Sequence, residues 1–527
     1  MKNFKKLLAI LVIALFYTGC NDWLESVDPA TSISGEAVVS TPDGVNALRA
    51  SMYSKIRRSF GYTTQYFVGP SAFTDETTNK ANSSRFDALV NAVDGDGGRT
   101  HLGTWAGSAG SIAIETYGII KDANIIINAV QPGVVSDALL DQYKGEALAI
   151  RALAKHTAVR AYGYEPGMFN MNPDAPNWNL GIVLRTDATL DVSDADDRER
   201  ATVTEVYAQI MSDLAEAKTL LDGRNADRTV ITESFVDGLM ARVSLYAGEW
   251  ADAYNHAANA LSNAGLSLAD TPDAVANVFA PNQPEALFYL SLNPQTEAIA
   301  GSNVNNGLAA YTSTQWVAQV PTQRLMDLFD ANDYRLGDFV RDDDGEIVID
   351  EDANNLPLYD GGWFRPCQND QQSPPTNFVN DCLAANDLGL SSTKWLGRNG
   401  NMSDNIPYMR IAELYLIQAE AAAKRDGNVS GPAVTALNTL REARGLAPVA
   451  AGDFANLTAW EDEVLEERMR ELFVEGHRFW DLKRLGRTIP NAAGDDKFRP
   501  DSYRMLAPIP ESVVGQNPLI LQNPGYN

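Results

Sequence analysis

The chain has 527 residues, with 69 acidic against 42 basic side chains and a formal net charge of −27. Such a balance argues against nucleic acid and anionic membrane surfaces as partners, and leaves neutral ligands such as sugars or peptides open. The four histidines, His101, His156, His256 and His477, make no metal-ligand spacing such as H-E-x-x-H, so neither a metal nor a cofactor is expected.

The N-terminus, "MKNFKKLLAILVIALFYTGC", starts basic and continues with an apolar run from Leu7 to Tyr17. That run is shorter than the roughly 20 residues needed to span a bilayer, and has the build of a removable secretion signal over residues 1–19. Cys20, after Thr18 and Gly19, stands at the acceptor position of a bacterial lipoprotein signal. An ordinary signal with an incidental Cys is the alternative, since Tyr17 stands where Leu is usual. Two or more acyl chains on Cys20 would anchor the chain stably.

Helical text follows. "ALRASMYSKIRRSF" opens it, and "SIAIETYGIIKDANIIINAV" places Ile114, Tyr117, Ile120 and Ile127 near a helical period. "DALLDQYKGEALAIRALAKHTAVRAYG" ends at Gly163, and "TVTEVYAQIMSDLAEAKTLL" has Thr202 or Thr204 as its cap. Two helix pairs then stand out: Val236 to Leu261, turning at Gly248, and Met409 to Leu446, turning at Asp426-Gly427. Both have small residues where helices could cross closely, as in tetratricopeptide-type hairpins. Several such pairs favour a curved helical scaffold.

Between the pairs, residues from about 266 to 405 are rich in Asn, Gly and Pro, with short β-like pieces such as "ALFYLSL". "RDDDGEIVID" predicts a hairpin around Asp344-Gly345. Its acids do not fit a calcium loop, which would put Val340 at the first ligand position. So long an irregular region is expected to carry function. An exported chain meets an oxidising compartment, and Cys367 and Cys382 close a short loop. A disulfide there is worth about 3 kcal/mol in the loop-entropy model, with two free thiols as the alternative.

"EGHRFWDLKRLG", Glu475 to Gly486, gathers one His, acids, bases and an aromatic pair. A catalytic reading makes Glu475 or Asp481 an acid/base with His477. A structural reading makes it a salt-bridged helix corner: Gly476 ends one helix in a left-handed turn, Trp480 meets Arg484, and His477 meets Asp481. In the preceding helix Glu466 and Glu467 can both pair with Arg470.

With "NDWLESVDP" after Cys20, then "FTDETTN", "YGIIKDANIIINAV", "GEALAIRALAKHTAVRAYG", "LMARVSLYAGEWADA", "IPYMRIAELYLIQAEAAAK", "EERMRELFVEGHRFWDLKRLG" and "APIPESVVGQNPLILQNPGY", the chain resembles the SusD/RagB family of outer-membrane nutrient-binding lipoproteins. The resemblance covers nearly all of residues 20–527. It implies a mainly α, SusD-like fold, with tetratricopeptide-like hairpins packed against an irregular loop-rich region with short β-hairpins. One domain is implied, with a helical part at about 36–265, a loop-rich insert at about 266–405 and a second helical part at about 406–527. It further implies a non-enzymatic surface protein, with a SusC-like TonB-dependent transporter as partner and an oligosaccharide or peptide as ligand. Asp22 and Glu25 fit the signal by which such lipoproteins reach the outer face. The Glu-Gly-His-Arg corner is then a fold signature.

Sugar C–H faces stack on aromatics, while hydroxyls need Asn, Asp, Gln or Arg nearby. Candidate platforms in loop-like text are Trp105, Tyr311, Trp316, Tyr66, Trp178 and Trp363, with Tyr62 and Phe67 beside them. Candidate polar partners are Asp75, Asn79 and Arg398, together with Asn305 and Asn306. Trp250 and Trp480, inside helices, are assigned to the core. The competing readings are a peptide-binding relative, a helical glycoside hydrolase using paired carboxylates, and a scaffold that binds protein on its helical face.

Overall fold

Capping chemistry sets the helix boundaries in the computed structural model. It describes residues 35–57, 67–81, 83, 87–91, 107–191, 196–293, 308–313, 317–350, 356–367, 382–383, 385–400 and 403–526. Helix α1, Pro42–Ile56, starts with Pro in its first turn, and its cap Thr41 accepts from the Gly44 amide. Helices α2, Gly107–Asn128, and α3, Asp137–Tyr162, follow, α3 ending where Gly163 turns extended. Helix α4, Val203–Leu220, opens on a capping box. Thr202 accepts from the Glu205 amide and the Glu205 side chain reaches back.

The two expected pairs form. Helix α5, Glu233–Ala247, ends at Gly248 with φ +76, and α6, Trp250–Ala264, starts two residues later. Helix α7, Ile411–Asp426, ends at Gly427 with φ +68, before α8, Gly431–Ala443. These are left-handed turns that Gly takes without Cβ strain. The buried residues of α6 are Ala253, Ala257 and Ala260, one small stripe against its neighbours. Helices α9, Leu457–Leu472, and α10, Arg478–Arg484, complete the set. Each helix from α1 to α7 packs on the next, and α9 packs on α7. The result is a stack of helical hairpins.

The text between α6 and α7 folds as short antiparallel pieces. Strand β1, Thr77–Asn79, pairs with β3, Gln319–Pro321, and β2, Ala286–Leu290, pairs with β10, Ile406–Arg410. Strands β4 (Asp338–Phe339) with β7 (Tyr359–Asp360), β5 (Ile349–Asp350) with β6 (Leu356–Pro357), and β8 (Phe364–Pro366) with β9 (Leu390–Ser392) are separate two-stranded pairs. The hairpin around Asp344-Gly345 forms, with Gly345 at φ +84 and Arg341 bridged to Ile347. The β2–β10 pair joins the loop-rich region to the stack. It lies so close to α5 that a Cβ on Gly238 would fall 2.4 Å from the Met409 sulfur.

Cys367 and Cys382 are joined as a disulfide, both buried beside Val317 and Val320. Trp480 is buried, but Trp250 is half-buried at the edge of the core with Lys424 Nζ 5.9 Å from its ring. No helix among the described residues is long and apolar enough to cross a membrane.

Candidate functional site: a buried charge brace beneath a loop-rich face

Helix α9 stops at Leu472, earlier than Gly476, because Phe473 leaves helical geometry with ψ 144° and Val474 takes φ +51°. Gly476 follows at φ +84°. This irregular corner turns every charged side chain of the C-terminal motif inward. Glu475 accepts from Arg410 Nε (2.9 Å) and Nη2 (2.7 Å) and from Lys394 Nζ (2.8 Å). Arg478 donates to both oxygens of Asp75, each at 3.0 Å. Asp481 accepts from Arg468 (2.7 Å) and Arg484 (3.0 Å). Arg484 also makes a two-point contact with Glu420, and Lys483 reaches Glu165 and the carbonyls of Arg160 and Gly163.

Beneath the corner, three fully buried guanidinium groups converge on Glu471. Arg444 meets both of its oxygens, Arg410 one at 2.8 Å, and Arg335 the other at 3.0 Å. Glu285, ahead of β2, takes Arg410 and Arg444, while Asp333 and Glu467 take Arg335. Burial opposes ionisation of Glu471, yet Arg444 and Arg410 outweigh it and hold the carboxyl far below its ordinary range. Buried charges persist only when paired and fully hydrogen-bonded, and here Glu471 and each of the three guanidinium groups have at least two opposite partners. Trp363 floors the group: its Nε1 donates to the Val275 carbonyl (2.7 Å), and Lys394 Nζ sits 4.5 Å from its ring.

The pairing that the catalytic reading needs, Glu475 or Asp481 on His477, is not formed: Glu475 is held by Arg410 and Lys394, and Asp481 by Arg468 and Arg484. His477 is pushed down to about 4 by burial, against the opposing pull of Glu413, so it is neutral at pH 7. It lies 4.0 Å from Glu413, too far for a hydrogen bond, and does not meet Asp481. Glu413 belongs to Arg242, which donates to both of its oxygens. The expected Trp480–Arg484 stack is also replaced. Arg160 and Lys483 lie over Trp480, and Arg484 lies over Tyr246 at 5.4 Å. In α9, Arg470 takes Glu467 and Glu463. Among the described residues no group of His, Cys, Asp and Glu could hold a metal.

The candidate ligand residues divide. Trp363, expected as a sugar platform, is 1% exposed and belongs to the brace, because a buried indole N–H needs an acceptor and Val275 supplies it. Phe67 is buried edge-on to Trp395. Asp75 is fully buried. Its pKa is lowered because Arg478, then Arg324, override the burial that would raise it. Arg398 donates to the Thr393 and Lys394 carbonyls and stands 3.7 Å from Asp404, with 19% of its side chain exposed. Trp178 is half-buried under the Arg200 guanidinium at 5.8 Å, in a neighbourhood with the C-terminal tail.

Asp75 and Asn79 lie before and at the end of β1, whose partner β3 also packs against the short helix that carries Tyr311. Asn79 ends β1 and accepts from Gln319 on β3, and the turn Leu308–Thr312 that carries half-buried Tyr311 packs beside β3. Arg324, 46% exposed at its side chain, leans on Asp75 at 2.6 Å. Gln319 and Arg324 carried no local signal in the sequence. Trp105, Trp316, Tyr66, Tyr62, Asn305, Asn306 and Cys20 lie outside the described residues.

Fold and site together give a stack of helical hairpins with a buried charge brace beside a loop-rich region of short strand pairs. Comparison with known proteins identifies this fold. A family model described as SusD family matches residues 284–526, and one described as starch-binding associating with outer membrane matches 27–245. Two SusD-like proteins of Formosa agariphila are 24% and 26% identical over the full length of both chains. The starch-binding protein SusD of Bacteroides thetaiotaomicron is 28% identical over 229 residues, 40% of this chain and 37% of its own. Among solved structures, a SusD superfamily protein of Bacteroides thetaiotaomicron has a TM-score of 0.69 at 20% identity, covering 92% of this chain and 100% of that one. A putative sugar binding protein of Bacteroides vulgatus has a TM-score of 0.67 at 23% identity, covering 93% and 99%. The chain belongs to the SusD/RagB family.

Proposed function

We propose that the protein is a lipid-anchored nutrient-binding protein of the outer membrane surface. It binds an oligosaccharide and delivers it to a SusC-like TonB-dependent transporter without cleaving it. The family matches along the chain carry this reading, since one matched family is described by starch binding and the outer membrane. Cys20, held by acylation, would be the anchor, and residues 1–19 would be removed. The charges of the C-terminal motif support a non-catalytic role, because each is engaged inside the fold and unavailable to a substrate. Ligand would lie on the loop-rich face around Asn79 and Tyr311, with Trp105, Trp316 and Tyr66 as stacking partners.

Calorimetry of the full chain against a panel of oligosaccharides and peptides tests this. A glycan is expected to bind and to be recovered intact. Binding of peptides alone would overturn the sugar reading, and release of shortened sugars would overturn the non-enzymatic one. Trp316→Ala or Trp105→Ala should weaken glycan binding at unchanged thermal stability. Unchanged affinity in both would reject this face.

A further inference from the structure

His156 lies well inside α3 and is 0% exposed. Neither of its ring nitrogens has a hydrogen-bond partner within the described residues, although buried polar atoms are nearly always paired. The ring is clamped edge-on by two tyrosines from other helices. Tyr207 of α4 lies 5.8 Å away at 89°, and Tyr246 of α5 lies 5.2 Å away at 87°, measured between ring centroids. The clamp closes the seam where α3, α4 and α5 meet. Around Tyr207, its own Oη, Arg160 Nε and Glu165 Oε2 are likewise buried without partners.

The charges around the ring oppose an imidazolium. Arg160 stands one turn along α3 and Arg242 belongs to α5. Burial first, and then these two guanidinium groups, hold the imidazole well below its ordinary value. The acids of the neighbouring elements are engaged elsewhere. Glu413 of α7 takes Arg242, and Asp213 of α4 takes Arg151 and Lys155. Glu165 takes Lys483, and Asp481 of α10 takes Arg468 and Arg484. An imidazolium at His156 needs water or a free carboxylate, and the closed clamp admits neither.

We propose that His156 is an acid latch: the neutral ring holds the seam of α3, α4 and α5 shut, and its protonation in mild acid opens that seam. In the opened or unfolded chain the ring takes up a proton near about pH 6.5, and in the closed one it does not. Its contribution is therefore complete above that value and is lost as pH falls through it. His477, pushed down to about 4 by burial, acts with the same sign, but at the C-terminal corner beside Glu413. The latch is independent of the ligand that the protein binds, so its failure would leave the nutrient-binding reading untouched.

Two measurements on the full chain test it. With histidine labelled at Cε1, the His156 resonance should stay that of a neutral ring from about pH 8 to about pH 5. A resonance that titrates in the folded protein near the ordinary value would overturn the latch. Hydrogen exchange, referred to the intrinsic rate at each pH, should show opening around Tyr207 and Tyr246 rise about 30-fold between about pH 7.5 and about pH 5, the ratio due to one such histidine. His156→Phe and His156→Gln should each remove most of that rise. A rise that survives both variants, or one spread evenly over α9 and the strand pairs, would also overturn it. If neither variant folds, the resonance and the exchange profile of the unaltered chain decide.

Discussion

The C-terminal corner and the loop-rich region hold their shapes by opposite means. In the corner Arg335, Arg410 and Arg444 share Glu471, and the pairings of these three guanidinium groups span up to 159 residues of sequence. No member can change without stranding another in a dry interior. In the loop-rich region each strand pair except β2–β10 is two or three residues long with its own register, tied down by a disulfide and by contacts such as Asn386 to the Pro321 and Leu390 carbonyls. The pairs also touch one another, β3 packing on β9 and β7 on β8, so the region is held by several short local ties rather than by one shared anion.

The comparison breaks first at Glu471. Glu471→Ala leaves three buried guanidinium groups short of a counter-charge and should cost about 4–5 kcal/mol, seen as lost folded protein or a collapsed urea midpoint. A loss below 1 kcal/mol would show that the corner is not a brace. Asp75→Asn, which frees Arg478 and Arg324, should cost about 3–4 kcal/mol in the same experiment. In the loop-rich region the paired Cys367→Ala and Cys382→Ala variant should lose about 3 kcal/mol, while leaving the near-ultraviolet signature of the stack intact.

A pH test sharpens the boundary between the two regions. Glu76, beside β1, is pushed up to about 7, chiefly by burial, with Ser71, the Val474 amide, Arg478 and Lys394 opposing. Its folded form therefore binds more protons than its unfolded form between the ordinary carboxyl value and about 7. Stability through this group is present at low pH and is lost as pH rises through that window. Glu76→Gln should remove that loss and gain about 2 kcal/mol at pH 8 relative to pH 5, read as the difference between two denaturation series. An equal gain at both values would assign the effect to packing. The smallest effect is expected at the exposed hairpin tip, where Asp343→Asn should move stability by no more than about 0.5 kcal/mol.

The helices were legible because their signals are local. Thr202 with Glu205, and Gly248 and Gly427, lie within a turn of what they control. The role of the C-terminal motif was legible as a pattern, but its partners were not. His477 with Asp481 and Trp480 with Arg484 were read from helical spacing, and tertiary partners won: Arg468 took Asp481, and Glu420 took Arg484. Glu285 and Arg410 did leave a trace, as lone charges beside the apolar strands "ALFYL" and "IPYMR". Trp363 misled because loop-like text around an aromatic suggests exposure, whereas the Val275 carbonyl that buries it lies 88 residues away.

The ion pair between Asp75 and Arg478 also orders events in time. Its two ends are 403 residues apart, so it cannot form until nearly the whole chain has been delivered. The helical hairpins, closed by neighbours in sequence, can form as they emerge. A chain cut short before Arg478 should hold formed helices around an unclosed middle.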